Sequence, residues 1–353
     1  MNPVRAFPAR VVRQDAARRT VLALTDQLDE ELVEVALDAD AFDESKPALY
    51  VYGQHDEEGS YTGVVCEVGV EAFQGGRVRG HEAVQPQRVE ALIRHHVTTD
   101  GPPALVTLLH RAGPAYLEAV GAAARTEPIL DFDGPRDVRQ TVWRMPDVSA
   151  GAVTEELAAA ELYIADGHHR VTAALEEWRM AGKPGGTGLL CVIHPMHDLR
   201  VSAFHRRLTG PVEATELDAL LTADFEVRTV DGPPVPTPGS FGMYVARRWC
   251  HLTYRGARGS GPAGLDVAVL EATFDRAADH ERGPSYTLEI APAQSTVDEL
   301  TQWCDSDGGA LFTLAPPPLE VVTGLADLGE VMPPKTTYFA PKPCAGIFLR
   351  AGQ

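Results

Sequence analysis

"LYIADGHHRVTAALEEWRMAG", residues 162–182, is the stretch on which the fold turns. Leu162-Tyr163-Ile164-Ala165 is a short apolar run of strand character. Gly167 lets the backbone turn sharply and approach a ligand closely. Beyond it, Val171, Ala174, Leu175 and Trp178 recur at helical spacing, so one face of a helix packs. The first turn of that helix offers free backbone N–H groups and the positive end of a dipole. His168, His169 and Arg170 add donors at the same place, which makes a phosphate seat. Asp166 is the odd member, because a carboxylate repels phosphate. Either a cation such as Mg²⁺ sits between them, held by one carboxylate and phosphate oxygens, or Asp166 orients a histidine or accepts a substrate proton. Taken singly, these residues have plainer readings: Asp166 as a helix cap, the histidines as solvated turn residues. Their convergence in consecutive positions favours a site. A zinc set is disfavoured, since adjacent histidines do not converge on one metal and no third ligand has helical spacing.

Composition narrows the partners. The chain has 353 residues, 44% of them apolar, enough for a large core or two ordinary ones. The formal net charge of -19 argues against a nucleic-acid partner, which needs a basic footprint. An anionic substrate then requires a local positive pocket. Five scattered cysteines, with no Cys-x-x-Cys pair, suit a reduced compartment and neither a disulfide framework nor a zinc site. No apolar leader core and no membrane-length apolar run is present, so the expectation is a cytoplasmic protein with no membrane partner.

Along the chain, strand and helix patterns alternate. Strands are expected at 48–54, 62–73, 104–110, 188–193 and 199–208, with two more around 242–256. Helices are expected over "QPQRVEALIRHHV", "AYLEAVGAAA", "VTEELAAAEL", "EATELDALLTADF", "GLDVAVLEATFDRAA" and "STVDELTQWCD". The Pro/Gly-rich run at 227–242 reads as a loop within a domain. The fold class is therefore mixed, α/β or α+β.

The block "YIADGHHR" closely resembles the nucleotide-site motif of free serine kinases in the ParB/sulfiredoxin superfamily, and of the related domain of unknown function family 1015. Sulfiredoxins carry a cysteine in this turn, so their chemistry is excluded here for want of a nucleophile. "RGHEAVQPQR" (79–88) resembles the family's upstream His-Glu block, and "MPPKTTYFAPK" (332–342) its C-terminal Pro-Lys-Ser/Thr-Thr block. The resemblance runs from about residue 48 to the C-terminus. Two departures stand out: no Pro-Pro-Tyr-Asp segment precedes Ala48, and Ala83-Val84 follow Glu82 where a basic residue and Thr are usual. They bear on substrate identity and leave the fold intact.

The resemblance implies a ParB/sulfiredoxin-like nucleotide-binding core with additional α+β elements. It implies a core over 1–210, a second α+β domain over 211–330, and a C-terminal segment, 331–353, returning to the active site. It implies a small-molecule kinase that moves a phosphoryl group from ATP or ADP, with Mg²⁺, to the hydroxyl of free L-serine or a similar hydroxy amino acid. Glu82 would be the base, Asp166 would hold the metal or position the hydroxyl, and His169 and Arg170 would neutralise the transferred group. Gly167, His168, Lys335, Thr336 and Thr337 would bind nucleotide or phosphate. His81, His205 and Arg206 are candidate substrate contacts. Two alternatives stay open: a nucleotide-binding or -hydrolysing switch without a small-molecule acceptor, and a metal-dependent phosphoester hydrolase. No Walker-type phosphate loop or protein-kinase motif set is present.

Overall fold

The computed structural model describes residues 2–23, 39–99, 104–278 and 286–350. The chain is mixed α/β and divides into two compact units. One comprises Met1–Gly80, Val84–Arg200 and Phe339–Gln353; the other comprises His81–Ala83 and Val201–Tyr338. Among the described residues, no helix is long and apolar enough to cross a membrane.

The first unit is built on a nine-stranded mixed sheet. Its main path runs Val78–Arg79, Leu162–Asp166, Val106–His110, Gly188–Pro195, Gly59–Gly69, Tyr50–Asp56, Arg139–Arg144, Leu130–Asp133. The Leu162–Asp166 strand is apolar on both faces because it lies inside this sheet. It pairs parallel with Val78–Arg79 and antiparallel with Val106–His110. The register slips between Ile164 and Asp166, and a bulge of this kind re-aims the side chains after it. On one face, Val64, Cys66, Leu108, Ile164 and Ile193 pack against Tyr116, Val153, Leu157 and Val171 of the helices Pro114–Ala123, Asp147–Ala159 and His168–Met180. On the other face, Tyr50, Tyr52 and Val65 meet Val11, Phe42 and Phe348 of a small sheet, Phe348–Arg350 with Ala9–Val12 and Phe42–Glu44. The C-terminal strand is thus part of the first unit's core. The helix Pro86–Thr99 lies on His168–Met180 through Val89, Leu92 and Ala173.

The second unit is a six-stranded sheet, antiparallel in its pairings among the described residues. Strict alternation fills both faces. Phe241, Met243 and Val245 face Val267, Leu270, Phe274, Val322 and Leu325, while Tyr244 and Leu311 face Leu300 and Cys304 of the helix Val297–Asp307. That helix starts on a capping box in which the Thr296 side chain and Glu299 exchange bonds with each other's backbone N–H.

Four expectations change. Residues 70–74 form a helix, Val70–Gln74, where a strand was expected to continue, because Gly69 ends the pairing. The expected strand at 199–208 is two strands, Arg200–Ala203 and Arg206–Leu208, broken at Phe204-His205. The expected loop at 227–242 keeps strand at both ends, in Phe225–Val230 and Ser240–Val245. A helix at Leu319–Asp327 follows the three prolines and was not anticipated.

His110 makes the first unit acid-sensitive. His110 is fully buried, its ring centroid 4.4 Å from that of Tyr116 in an edge-to-face contact, and both its ring nitrogens lack hydrogen-bond partners among the described residues. Burial pushes its pKa down to about 4, with Glu156 opposing and His194 adding to the effect. The unfolded chain takes that proton near the ordinary histidine value of 6.5, so between these values the unfolded state binds more protons. Stability should therefore fall as pH drops from about 6.5 to 4, by at most about 3 kcal/mol from this group. Denaturant unfolding of His110→Phe at neutral and acid pH should show a flatter slope across that window and no loss at neutral pH, since an apolar ring leaves no orphaned nitrogen.

Candidate active site

Gly167 adopts φ 100° and ψ 24°, a left-handed conformation that favours glycine. A side chain there would also meet the Arg170 guanidinium, since a Cβ would lie 3.1 to 3.3 Å from its atoms. The turn thus needs glycine for conformation and for space. The helix begins at His168 with no side-chain cap. Its first backbone bond runs from Val171 N–H to Gly167 C=O, so the N–H groups of His168, His169 and Arg170 precede the helical ladder. Donors and dipole meet at this point, next to the end of a sheet strand.

Asp166 closes the turn. One carboxylate oxygen accepts from Arg170 Nη2 at 2.5 Å, and the other lies 3.2 Å from Lys342 Nζ. Both cations are nearly buried, with side chains 3% and 7% exposed. Arg170 Nη1 donates to Leu105 C=O at 2.7 Å. Arg170 Nε is buried without a partner among the described residues. His169 Nε2 accepts the Gln85 N–H at 3.0 Å, which puts the ring proton on Nδ1. His168 is buried with its ring against Gly80.

The expectation that Asp166 holds Mg²⁺ meets a conflict. Both oxygens face cations, which a metal would have to displace. Among the described residues no group of three or more His, Cys, Asp or Glu side chains could hold a metal ion. A Mg²⁺ at Asp166 would need one carboxylate plus phosphate oxygens, and it would take the place of Arg170 or Lys342 at one oxygen. Lys342 was missed as a site residue. It lies inside the quoted C-terminal block, but a single lysine in a proline-rich segment carries no signal of its distant partner.

In the second unit, residues 81–83 are strapped to 332–337. Met332 N–H donates to His81 C=O at 2.8 Å, Glu82 bridges Met332 in parallel, and the Thr337 hydroxyl lies 3.5 Å from His81 Nε2. Lys335 takes φ 54°, an unusual value for a non-glycine residue. Its N–H points at Glu82 Oε1, 3.4 Å away, and its ammonium lies 5.0 Å above the Phe204 ring. Arg206, 1% exposed, holds that turn in place. Its Nη1 donates to Lys335 C=O and its Nη2 to Pro334 C=O, each at 3.2 Å. Its Nε and Nη2 bind Glu271 Oε1 at 3.1 Å, and Nη1 also reaches Phe204 C=O. His205 Nδ1 accepts the Leu314 N–H at 3.3 Å, and burial, then Arg206, pushes its pKa down to about 4. The Thr336 hydroxyl donates to Pro333 C=O at 2.6 Å. The structure thus brings Glu82, His81, Lys335, Arg206 and Thr337 together in one unit, and Asp166, Gly167, His168, His169 and Arg170 together in the other.

The family model described as Protein of unknown function (DUF1015) matches residues 27–273. Among solved structures, the chain is similar to SbnI with a C-terminal truncation from Staphylococcus aureus, at 13% identity over 81% of this chain and 87% of that one, TM-score 0.41. It is similar to a free serine kinase in complex with AMP, at 13% identity over 80% and 90%, TM-score 0.40. It is also similar to a conserved hypothetical protein from Pyrococcus furiosus, at 15% identity over 82% and 95%, TM-score 0.40. No curated protein matches the chain.

Two glycine substitutions separate the turn from an ordinary helix. Gly167→Ala should cost roughly 1–3 kcal/mol, from left-handed backbone strain and displacement of Arg170. Gly151, in the helix Asp147–Ala159, has open space where a Cβ would go. Gly151→Ala should be neutral or stabilising by about 0.5–1 kcal/mol. Denaturant melts of the two variants give the comparison.

Proposed function

The chain belongs to the DUF1015 family, and from that premise we propose that it is a small-molecule kinase, moving a phosphoryl group from ATP or ADP to the hydroxyl of free L-serine or a similar hydroxy amino acid. The observation that carries this reading is the strand–glycine–helix turn of Leu162–Asp166, Gly167 and His168–Met180. It presents helix-start N–H groups beside a buried guanidinium. Such a turn suits the phosphates of a nucleotide and offers little to a neutral ligand. Mg²⁺ is assigned to the donor, arriving as the nucleotide's counter-ion, and no step here depends on a protein-held metal.

The backbone of Gly167 to Arg170 would seat the donor phosphates, and the Arg170 guanidinium and His169 Nδ1–H would offset negative charge on the group in transfer. Glu82 would accept the proton of the acceptor hydroxyl as its oxygen attacks phosphorus; the P–O bond to the nucleotide breaks and the nucleotide leaves with its electron pair. Glu82 is half-buried, and the Lys335 N–H at one oxygen fixes the direction of the carboxylate. The Lys335 ammonium, lying over Phe204, suits the carboxylate of an amino-acid acceptor.

Phosphorus NMR of the protein with Mg²⁺, ATP or ADP, and a panel of hydroxy amino acids tests the class. A new phosphomonoester resonance is expected. Nucleotide turnover with no acceptor phosphorylated would replace the kinase reading with the switch. Glu82→Gln, which keeps shape and removes the proton acceptor, should lower transfer roughly 10²- to 10⁴-fold while calorimetric nucleotide affinity stays near the parent's. An unimpaired variant would remove Glu82 from catalysis.

A further inference from the structure

Within the first unit, one carboxylate is shared by two nearly buried cations that are far apart in the sequence. Arg170 is one helical turn beyond Asp166. Lys342 is near the C-terminus, yet its position is fixed: its C=O accepts from Gln54 Nε2 at 3.0 Å, and Gln54 is only 1% exposed. The chain just beyond it enters the core through Ile347 and Phe348, and Phe348–Arg350 pairs with Ala9–Val12. Lys342 is therefore a lysine on a rigid platform and not a solvated tail residue. Burying an ammonium costs several kcal/mol unless it is paired, and Asp166 supplies a pair.

We propose that Lys342 binds a phosphate group of the donor nucleotide, and that Asp166 is the positioning residue that holds Lys342 and Arg170 toward that anion. Four features of one turn converge. Arg170 is 2% exposed, and its Nε has no partner among the described residues. That buried Nε lies against Gly167, 3.2 Å from where a Cβ would be, so a side chain at this position would crowd it. The helix-start N–H groups of His168 to Arg170 face the same turn. The Lys342 ammonium lies 3.2 Å from the other side of the same carboxylate. An anion with several oxygens, a phosphate group, meets all of these at once. A carboxylate already bridging two cations holds them in place before the ligand arrives, which lowers the ordering cost of binding. This inference rests on the nucleotide seat of the proposed kinase and needs no transfer step.

The test is calorimetric titration of ADP, with Mg²⁺ and separately with EDTA, into the intact protein and three variants. Lys342→Met should weaken ADP roughly 10- to 100-fold in both conditions, the size of one lost charge-assisted contact. Lys342→Arg should recover much of that loss. Asp166→Asn should weaken ADP by a similar factor with and without Mg²⁺, because it releases the cations and not a metal. Inorganic phosphate should compete with ADP in the parent and compete less in Lys342→Met; phosphate that competes equally in both places the lysine outside the seat. Thermal melts of all variants check folding, and Lys342→Arg keeps the charge if Lys342→Met is unstable. Parent-like ADP affinity in Lys342→Met, or a loss in Asp166→Asn confined to Mg²⁺, overturns the inference. Tight ADP binding by a parent that phosphorylates no acceptor sinks the kinase reading and leaves this one standing. A parent that binds no ADP sinks both.

Discussion

Everything at the candidate site depends on a left-handed glycine at the end of a buried strand. The buried strand Leu162–Asp166 has a partner strand on each side, Val78–Arg79 and Val106–His110, so the chain reaches Asp166 with little freedom left. Gly167 then turns it at φ 100°, and His168 begins a helix anchored through Val171 and Ala173. The strand and helix are fixed by hydrophobic burial, and the turn between them is fixed by the absence of a side chain. What remains at the junction is polar: a carboxylate, two cations and the N–H groups at the helix start. Core packing thus positions donors that would be too mobile, on a surface loop, to select an anion.

The second unit uses a different device for the same end. Lys335 sits at a positive φ that costs of order 1–3 kcal/mol, and such strain persists only where surrounding contacts over-determine it. Arg206 is that contact. Its fork grips the carbonyls of Pro334 and Lys335 and is itself braced by Glu271. Arginine suits the task because five donors in a rigid plane can satisfy several acceptors at once. The consequence is that Lys335 N–H is held toward Glu82. A guanidinium so engaged serves the backbone of that turn.

The sequence made legible those features that are local and periodic. An apolar run, a glycine and an amphipathic run announced the strand, turn and helix around Asp166. Alternation marked Ser240–Val245 and Arg248–Tyr254. The motif "PKTT" marked the segment that straps Glu82. Long-range pairings stayed hidden. Nothing in "FAPKP" says that its lysine meets Asp166, and nothing in "FHRRL" says which arginine is buried. Phe225–Val230 lacks an apolar stripe, since only Phe225 is fully buried there, so its residues 227–230 read as loop. The short helix Leu319–Asp327 follows Pro316-Pro317-Pro318 and carries Gly324, and both features argue locally against a helix.

The Gly167 turn is proposed as the seat of a nucleotide's phosphates. The most direct measurement is a crystal structure of the protein grown with ADP. The expected result places phosphate oxygens within hydrogen-bonding distance of the backbone N–H groups of His168 to Arg170. Density for the nucleotide elsewhere, with that turn filled only by solvent, would contradict it.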